Sequence, residues 1–516
     1  MYPGKYAAQN PDKPAFIMAD SGEAVTYREY EARCNRLAHL LRDQGLERLH
    51  HYAVFMENNV RYMESCGAGE RAGHYYTCIN SYLTAQEVAY IVNNSESQVL
   101  IISEARRETA MAALADCPNV QLCIVVDGPG DGDKIVNLDE ATANFPDTPI
   151  PDECLGIAML YSSGTTGQPK GILRPLPENA PDAPMPVYQF LMNMWHYREG
   201  MVYLIPAPLY HSAPHVALNF TLRVGGTSVI MERFDPELYL SLVEKYGVTD
   251  SQLVPTMFSR MLKLPEEVRE RYDMSSLEVA IHGAAPCPPQ VKQQMINWWG
   301  PVVEEYYGAT EAQGLTACDS EEWLAHPGTV GQVKFGEIRI LDDDMKPCPT
   351  GTAGTIWFVN ASPFEYFNDA GRTEEAYSPD RTMSTVGDVG YVDEEGYLFL
   401  TDRATFMIIS GGVNIYPQEC ENLLITHPKV MDAAVFGVPN EEMGEEVKGV
   451  IQMTPGQTAG EALEMELIEF CREHLAHMKC PRSIDFIDDM PRLPTGKLYK
   501  RILRDRYWSD RKSRIL

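Results

Sequence analysis

The stretch Leu160–Gly171, LYSSGTTGQPKG, concentrates what a phosphate group needs. An apolar run, IAMLY, feeds into Ser162, Ser163, Gly164, Thr165, Thr166 and Gly167, and Lys170 follows. Glycines let the backbone turn its N–H groups toward an anion, the hydroxyls add donors, and the ammonium adds a compact positive charge. The spacing is G-x-x-G-x-x-K-G, which departs from the G-x-x-x-x-G-K-[ST] of a P-loop, so the usual nucleotide-triphosphatase reading fails on its own motif. Taken alone, the run reads equally well as a solvated Gly/Ser/Thr loop.

The elements that would carry such a loop are legible around it. SQVLIIS (97–103), LCIVVDG (122–128), MVYLIPAP (201–208), GTSVIM (226–231) and LEVAIHG (277–283) are short apolar runs that predict buried strands. Helical patterns such as PELYLSLVEKYG lie between several of them, which is the alternation of a mostly parallel, helix-covered sheet. Ligands in such sheets bind at the carboxyl ends of strands. PLPENAPDAPMP (175–186) reads as a surface loop. GYVDEEGYLFLTDR predicts a hairpin turning at Glu394 to Gly396, and a fresh series of elements follows it, including ALEMELIEFCREHLAHM.

Composition excludes several classes. The 516 residues, 44% hydrophobic, suffice for more than one domain, and 43 Lys+Arg against 73 Asp+Glu give a formal charge of -30. That charge argues against nucleic acid or an anionic membrane as a partner, so any phosphate must be held by local donors. The N-terminal text has neither the basic start nor the apolar core of a signal peptide, and no apolar run is long enough to cross a bilayer, which predicts a cytoplasmic protein. The 12 cysteines lack a CxxC pair or zinc spacing and read as reduced core residues.

Three further stretches change the weight of the first: YYGATE (306–311), GDVGYVDEEGYLFLTDR (387–403) and PTGKLYKR (494–501). In this order the four resemble the AMP-forming adenylate enzyme superfamily of acyl-CoA synthetases, luciferase and peptide-synthetase adenylation domains. PDKPAFI, NSYLTAQEVAYIVNNSESQVLI, HGAAP (282–286) and ISGGVNIYPQECE (409–421) extend the similarity over nearly the whole chain.

The resemblance implies a role for each matching residue. Ser162 to Gly167 and Lys170 would hold the β- and γ-phosphates of ATP. Gly283, Ala284 and Ala285 would lie along one adenine face, with Tyr307 on the other and Gly308 beside it. Thr310 would contact the α-phosphate, and Glu311 would hold Mg²⁺, a hard cation that prefers oxygen ligands. Asp388 and Arg403 would bind the ribose. Lys497 would bridge the substrate carboxylate and the α-phosphate during adenylation. Ser410, Gly411 and Gly412 would line the channel for coenzyme A. Singly, Tyr307 reads as a core aromatic, Asp388 as a turn residue, Glu311 as a helix-start carboxylate and Lys497 as an exposed turn lysine. Their joint occurrence favours function.

Departures mark this chain off. A charged hinge residue followed by an acidic one is usual soon after the "DR" pair, but Thr405 and Phe406 stand there. GILRP carries Arg174 where a histidine is frequent. Together with PLYHSAPH (208–215) and EEWLAHPGTVG (321–331), it looks more like ligases for bile and other steroid acids. His211, after MVYLIPAP, reads either as a wall of the acyl pocket or as a hydrogen-bonded loop histidine.

The expected fold is α/β: a large N-terminal domain, residues 1–402, of parallel-rich sheets covered by helices, and a small mobile C-terminal α+β domain, residues 403–516. The expected activity is an ATP-dependent acyl-CoA synthetase acting on a medium- or long-chain fatty acid or a polycyclic steroid-type acid. The rivals are an adenylating enzyme that loads a carrier-protein thiol or an amine, and a retired scaffold that only binds.

Overall fold

The computed structural model describes residues 2–162, 169–359, 362–403, 406–410, 413–440, 443–492 and 498–508, with the side chains of 402, 403 and 414 outside it. Two compact units form. The first comprises Met1–Gln252, Arg271–Ala280 and Pro363–Glu374, and the second Leu253–Glu270, Ile281–Ser362 and Glu375–Leu516.

The first unit is built on parallel strands. One sheet runs in the order Ile135–Asn137, Leu122–Val125, Val99–Ile102, His51–Phe55, Tyr75–Ile79 and Ile157–Ala158, every neighbouring pair parallel. His51–Phe55, Tyr75–Ile79 and Val99–Ile102 are buried at every residue, the signature of strands covered on both faces. In a further group Val202–Ile205 pairs in parallel with Thr227–Ile230 and Asp250–Leu253, and Thr227–Ile230 with Pro14–Met18. The helices between strands start and stop on local chemistry. Asp235 caps Pro236–Tyr246 by accepting from the Leu238 N–H, and Gly247, at φ 58°, ends it in the left-handed conformation that glycine adopts without strain.

The apolar run IAMLY divides between two sheets. Ile157–Ala158 closes the parallel sheet, Met159 N–H donates to the Tyr76 carbonyl (2.9 Å), and Leu160–Ser162 crosses to a three-stranded antiparallel sheet with Lys170–Leu173 and Glu365–Tyr366. Apolar content does not distinguish these two pairings, because Ile157, Ala158, Met159 and Leu160 are all buried.

The second unit is largely antiparallel. Val303–Gly308, Leu315–Cys318 and Gln332–Phe335 pair in succession. Glu337–Leu341, Gly354–Val359, Asp388–Val392 and Leu398–Arg403 form a second group, in which the expected hairpin pairs Asp388 with Arg403 and turns through Gly396 at φ 87°. Downstream, Val430–Asn440 and Gly444–Met453 form a long hairpin joined by Ile408–Ser410, Val413–Ile415 and Ser483–Ile487. Helices Gln418–Thr426 and Glu461–His474 pack their own core here, with Leu424, Val435, Ile451, Leu467 and Cys471 fully buried. Among the described residues no helix is long and apolar enough to cross a membrane. All twelve cysteines are free thiols.

Candidate active site

In the first unit the two ends of the phosphate-type loop are held by a β-ladder. Ser162 faces Lys170 directly in antiparallel register. The Lys170 ammonium sits 4.3 Å over the ring of Tyr366, a cation–π contact that orients the stem. Ser163, Gly164, Thr165, Thr166 and Gly167 lie outside the described residues.

His211 is half-buried, 4.5 Å from the Tyr210 ring centroid, and occupies the N-cap of helix Ser212–Arg223. That helix is anchored by a polar network that sequence reading missed. The Tyr76 hydroxyl donates to Glu70 Oε1 (2.8 Å), its oxygen lies 2.9 Å from His215 Nε2, and Arg223 approaches Glu70 Oε2 at 3.4 Å. All four side chains are buried, and burial lowers the His215 pKa, with Glu70 opposing it. The signal lay in spacing: His215 and Arg223 fall on the buried face of an otherwise apolar helix. Nearby, the Cys66 and Cys78 sulfurs lie 3.8 Å apart, and burial pushes the Cys66 thiol well up, which keeps it neutral.

In the second unit the strand ending at His282 delivers Gly283, Ala284 and Ala285 to a turn. Gly283 is required by contact, since a Cβ there would lie 2.9 Å from the Tyr306 carbonyl and 2.7 Å from its ring. Ala284 has φ 65°, a conformation that costs an L-residue about 1 kcal/mol or more and persists only when its surroundings hold it. Tyr307 and Gly308 end the strand Val303–Gly308. The Tyr307 hydroxyl donates to Asp388 Oδ2 at 2.9 Å, and its ring lies 6.3 Å from Phe358 with planes 24° apart. Thr310 and Glu311 follow in a turn, and Ala312, at φ 55°, is a second strained alanine. Glu311 is buried and Thr310 half-buried. A buried carboxylate beside a hydroxyl offers the hard oxygen donors that suit Mg²⁺.

Asp388 opens its strand after Gly387, which turns at φ 80°, and its backbone faces that of Arg403 across the ladder. Ser410 is buried and pairs with Val413, where Ile409 and Val413 are exposed. Gly411, Gly412, Thr405, Lys497 and the Arg403 side chain lie outside the described residues. Phe406 receives the Lys500 ammonium 5.0 Å over its ring. Trp323, from the steroid-ligase-like stretch, is a core side chain beneath Lys292. Thus Tyr307 and Asp388 are brought into direct contact.

The AMP-binding enzyme family model matches residues 5–365, and the AMP-binding enzyme C-terminal domain model matches residues 419–497. Long-chain-fatty-acid–CoA ligase FadD13 of Mycobacterium tuberculosis is 29% identical over 507 residues, 97% of each chain. A feruloyl-CoA synthase of Amycolatopsis sp. is 32% identical over 515 residues, 98% of each chain. Among solved structures, ATP-bound MatB from Rhodopseudomonas palustris superposes with a TM-score of 0.80 at 28% identity, covering 98% of this chain and 99% of that one.

Proposed function

Because the chain belongs to the AMP-binding enzyme family and is an AMP-forming acid–thiol ligase that uses ATP and coenzyme A, we propose that its substrate is a bulky hydrophobic carboxylic acid. The class comprises medium- or long-chain fatty acids and polycyclic steroid-type acids. The named substrates of two relatives, a long-chain fatty acid and ferulate, are both far larger than acetate. The enzyme works in the cytoplasm, where ATP and coenzyme A are supplied.

The reaction joins two anions. A carboxylate oxygen attacks the α-phosphorus of ATP, pyrophosphate leaves, and the acyl-AMP carbonyl is then attacked by the thiol of coenzyme A, releasing AMP. Ser162 to Gly167 and Lys170 hold the outgoing phosphates. Gly283 to Ala285 and Tyr307 with Gly308 flank the adenine, and Asp388 and Arg403 take the ribose hydroxyls. Thr310 donates to the α-phosphate, while Lys497 spans it and the incoming carboxylate, lowering the repulsion at the moment of attack. Glu311 would hold Mg²⁺, which supplies further charge neutralisation on the phosphate oxygens. For the second half-reaction residues 403–516 act as a lid that withdraws Lys497 and presents Ser410, Gly411 and Gly412 to the thiol arm. His211 forms part of the acyl wall.

The observation that supports the nucleotide assignment is the Tyr307–Asp388 hydrogen bond, which joins the residue assigned to the base with the residue assigned to the sugar of one nucleoside; the substrate class rests on the named acids of the relatives. The test is a ligation assay with ATP, Mg²⁺ and coenzyme A over fatty, aromatic and steroid-side-chain acids, reading pyrophosphate and acyl-CoA. Pyrophosphate release that needs both acid and ATP, with the highest kcat/KM on a large acid, is expected. A preference for acetate or benzoate over every larger acid would overturn the substrate class, and acyl-AMP that passes to a carrier protein and not to free coenzyme A would overturn the acceptor.

A further inference from the structure

Beneath the Gly283–Ala285 turn lies a charged pair that the proposed chemistry leaves unused. Lys292 Nζ and Glu305 Oε2 meet at 2.8 Å, with the two residues 1% and 5% exposed. Lys292 stands on the apolar face of helix Pro289–Trp299 among Val291, Met295 and Ile296, and its ammonium rests 5.0 Å over the Trp323 ring. Glu305 precedes Tyr307 by two residues on the strand Val303–Gly308. Its Oε2 also lies 3.5 Å from Nε2 of His282, the fully buried residue directly before Gly283. Phe258 packs edge-on against the imidazole at 5.3 Å. Burial, with the Lys292 charge, holds that imidazole well below its usual pKa and therefore neutral.

Stability is a poor reason to place this pair here. Removing two charges from water is expensive, and an apolar pair of similar volume often serves a core as well or better. What a buried pair does supply is a single geometry, because each charge must meet its partner or stand uncompensated. This one joins a helix, the strand that carries Tyr307 and the strand that carries the Gly283–Ala285 turn. The turn contains Ala284 at φ 65°, a conformation that needs its surroundings to hold it.

We infer that Lys292, Glu305 and His282 form a positioning group that fixes the Gly283–Ala285 turn relative to Tyr307, and so sets the enzyme's affinity for the adenine of ATP. The inference rests on the nucleotide assignment above. A displacement of about 1 Å in a binding wall is enough to lose one to two orders of magnitude.

The experiment compares wild type, Glu305→Gln, Lys292→Arg and the double variant Lys292→Met/Glu305→Leu by KM for ATP and for the acid, AMP affinity by calorimetry, and melting temperature. Glu305→Gln should raise the ATP KM and the AMP Kd about tenfold and leave the acid KM within about twofold. Lys292→Arg, which keeps the charge, should stay within about threefold of wild type in both constants. The double variant leaves no uncompensated charge, so it should recover the melting temperature while keeping the raised ATP KM. Native ATP KM in the double variant, or equal rises in both KM values, would overturn the inference. So would failure of both Glu305→Gln and the double variant to fold, which would make the pair a stability element. Wild-type protein that binds neither AMP nor ATP would instead overturn the nucleotide assignment, before any variant is compared.

Discussion

Tyr307 holds Asp388: the phenol donates to Oδ2 at 2.9 Å and ties the end of the strand Val303–Gly308 to the start of the hairpin at 388–403. Hydrogen bonds to charged groups contribute about 1.5–3 kcal/mol when lost from one side, and about 1.4 kcal/mol is tenfold in affinity. Tyr307→Phe keeps the ring and frees the carboxylate, so AMP affinity should fall about tenfold while adenine selectivity over guanine persists. Tyr307→Ala should lose both. Calorimetry with AMP and GMP separates the two, and a phenylalanine variant that binds AMP like wild type would show that the contact plays no part in holding the ribose group.

How much of this was legible depended on whether a residue followed the periodic pattern of its element. The strands at 99–102, 122–125, 202–205, 227–230 and 279–282 were readable because each is buried along all or nearly all of its length and interrupts polar text. The hairpin at 388–403 was readable from its central Glu-Glu-Gly. The division of IAMLY between two sheets was not, because hydrogen-bond partners leave no trace in hydropathy. Lys292 and Glu305 look like ordinary surface charges one at a time. Only the apolar stripe of Val291, Met295, Ile296 and Trp299 shows that Lys292 shares a buried face. Tyr307 and Asp388 were each assigned a place on the nucleoside, yet nothing across a separation of 81 positions announces that they touch.

Lys263 offers a pH-dependent test within the second unit. Its ammonium donates to the carbonyls of Val430 (2.7 Å) and Met431 (3.0 Å), and burial lowers its pKa from 10.5 to about 8. Below pH 8 the lysine is charged in both folded and unfolded chains, and the desolvation penalty is fully present. Between about 8 and 10.5 the unfolded chain binds more protons than the folded one, so stability from this group rises with pH. The melting temperature of wild type relative to Lys263→Met should therefore climb from pH 8 to pH 10. A constant difference across that range would place the lysine in water.

The lid is expected to turn at Thr405 although neither it nor Phe406 carries charge, because a hinge needs backbone freedom first. Thr405→Pro fixes φ and removes a donor. It should impair one half-reaction at least about tenfold more than the other if the proposed lid takes two orientations that differ in this angle. Equal loss in pyrophosphate release and in thioester formation from pre-made acyl-AMP, or no loss in either, would move the pivot elsewhere.

Lys497 should serve adenylation alone. The carboxylate and the α-phosphate repel as they close, and loss of one charge-stabilising group of this kind lowers the rate on the order of a hundredfold or more. Lys497→Ala should therefore suppress pyrophosphate release to that extent. Supplied with pre-made acyl-AMP and coenzyme A, the same variant should keep most of its thioester-forming rate, because attack of a thiol on an activated carbonyl joins no second carboxylate to phosphorus. Gly411→Trp should reverse the pattern, since a large side chain at a residue assigned to a narrow channel obstructs the thiol arm while leaving ATP and the acid free to react. The two variants form an internal control: a general loss of folding would slow both half-reactions in both proteins. If Lys497→Ala slowed thioester formation as much as adenylation while its melting temperature stayed native, the lysine would have to remain at the reacting centre through both steps, and a lid that withdraws it would be wrong for this enzyme.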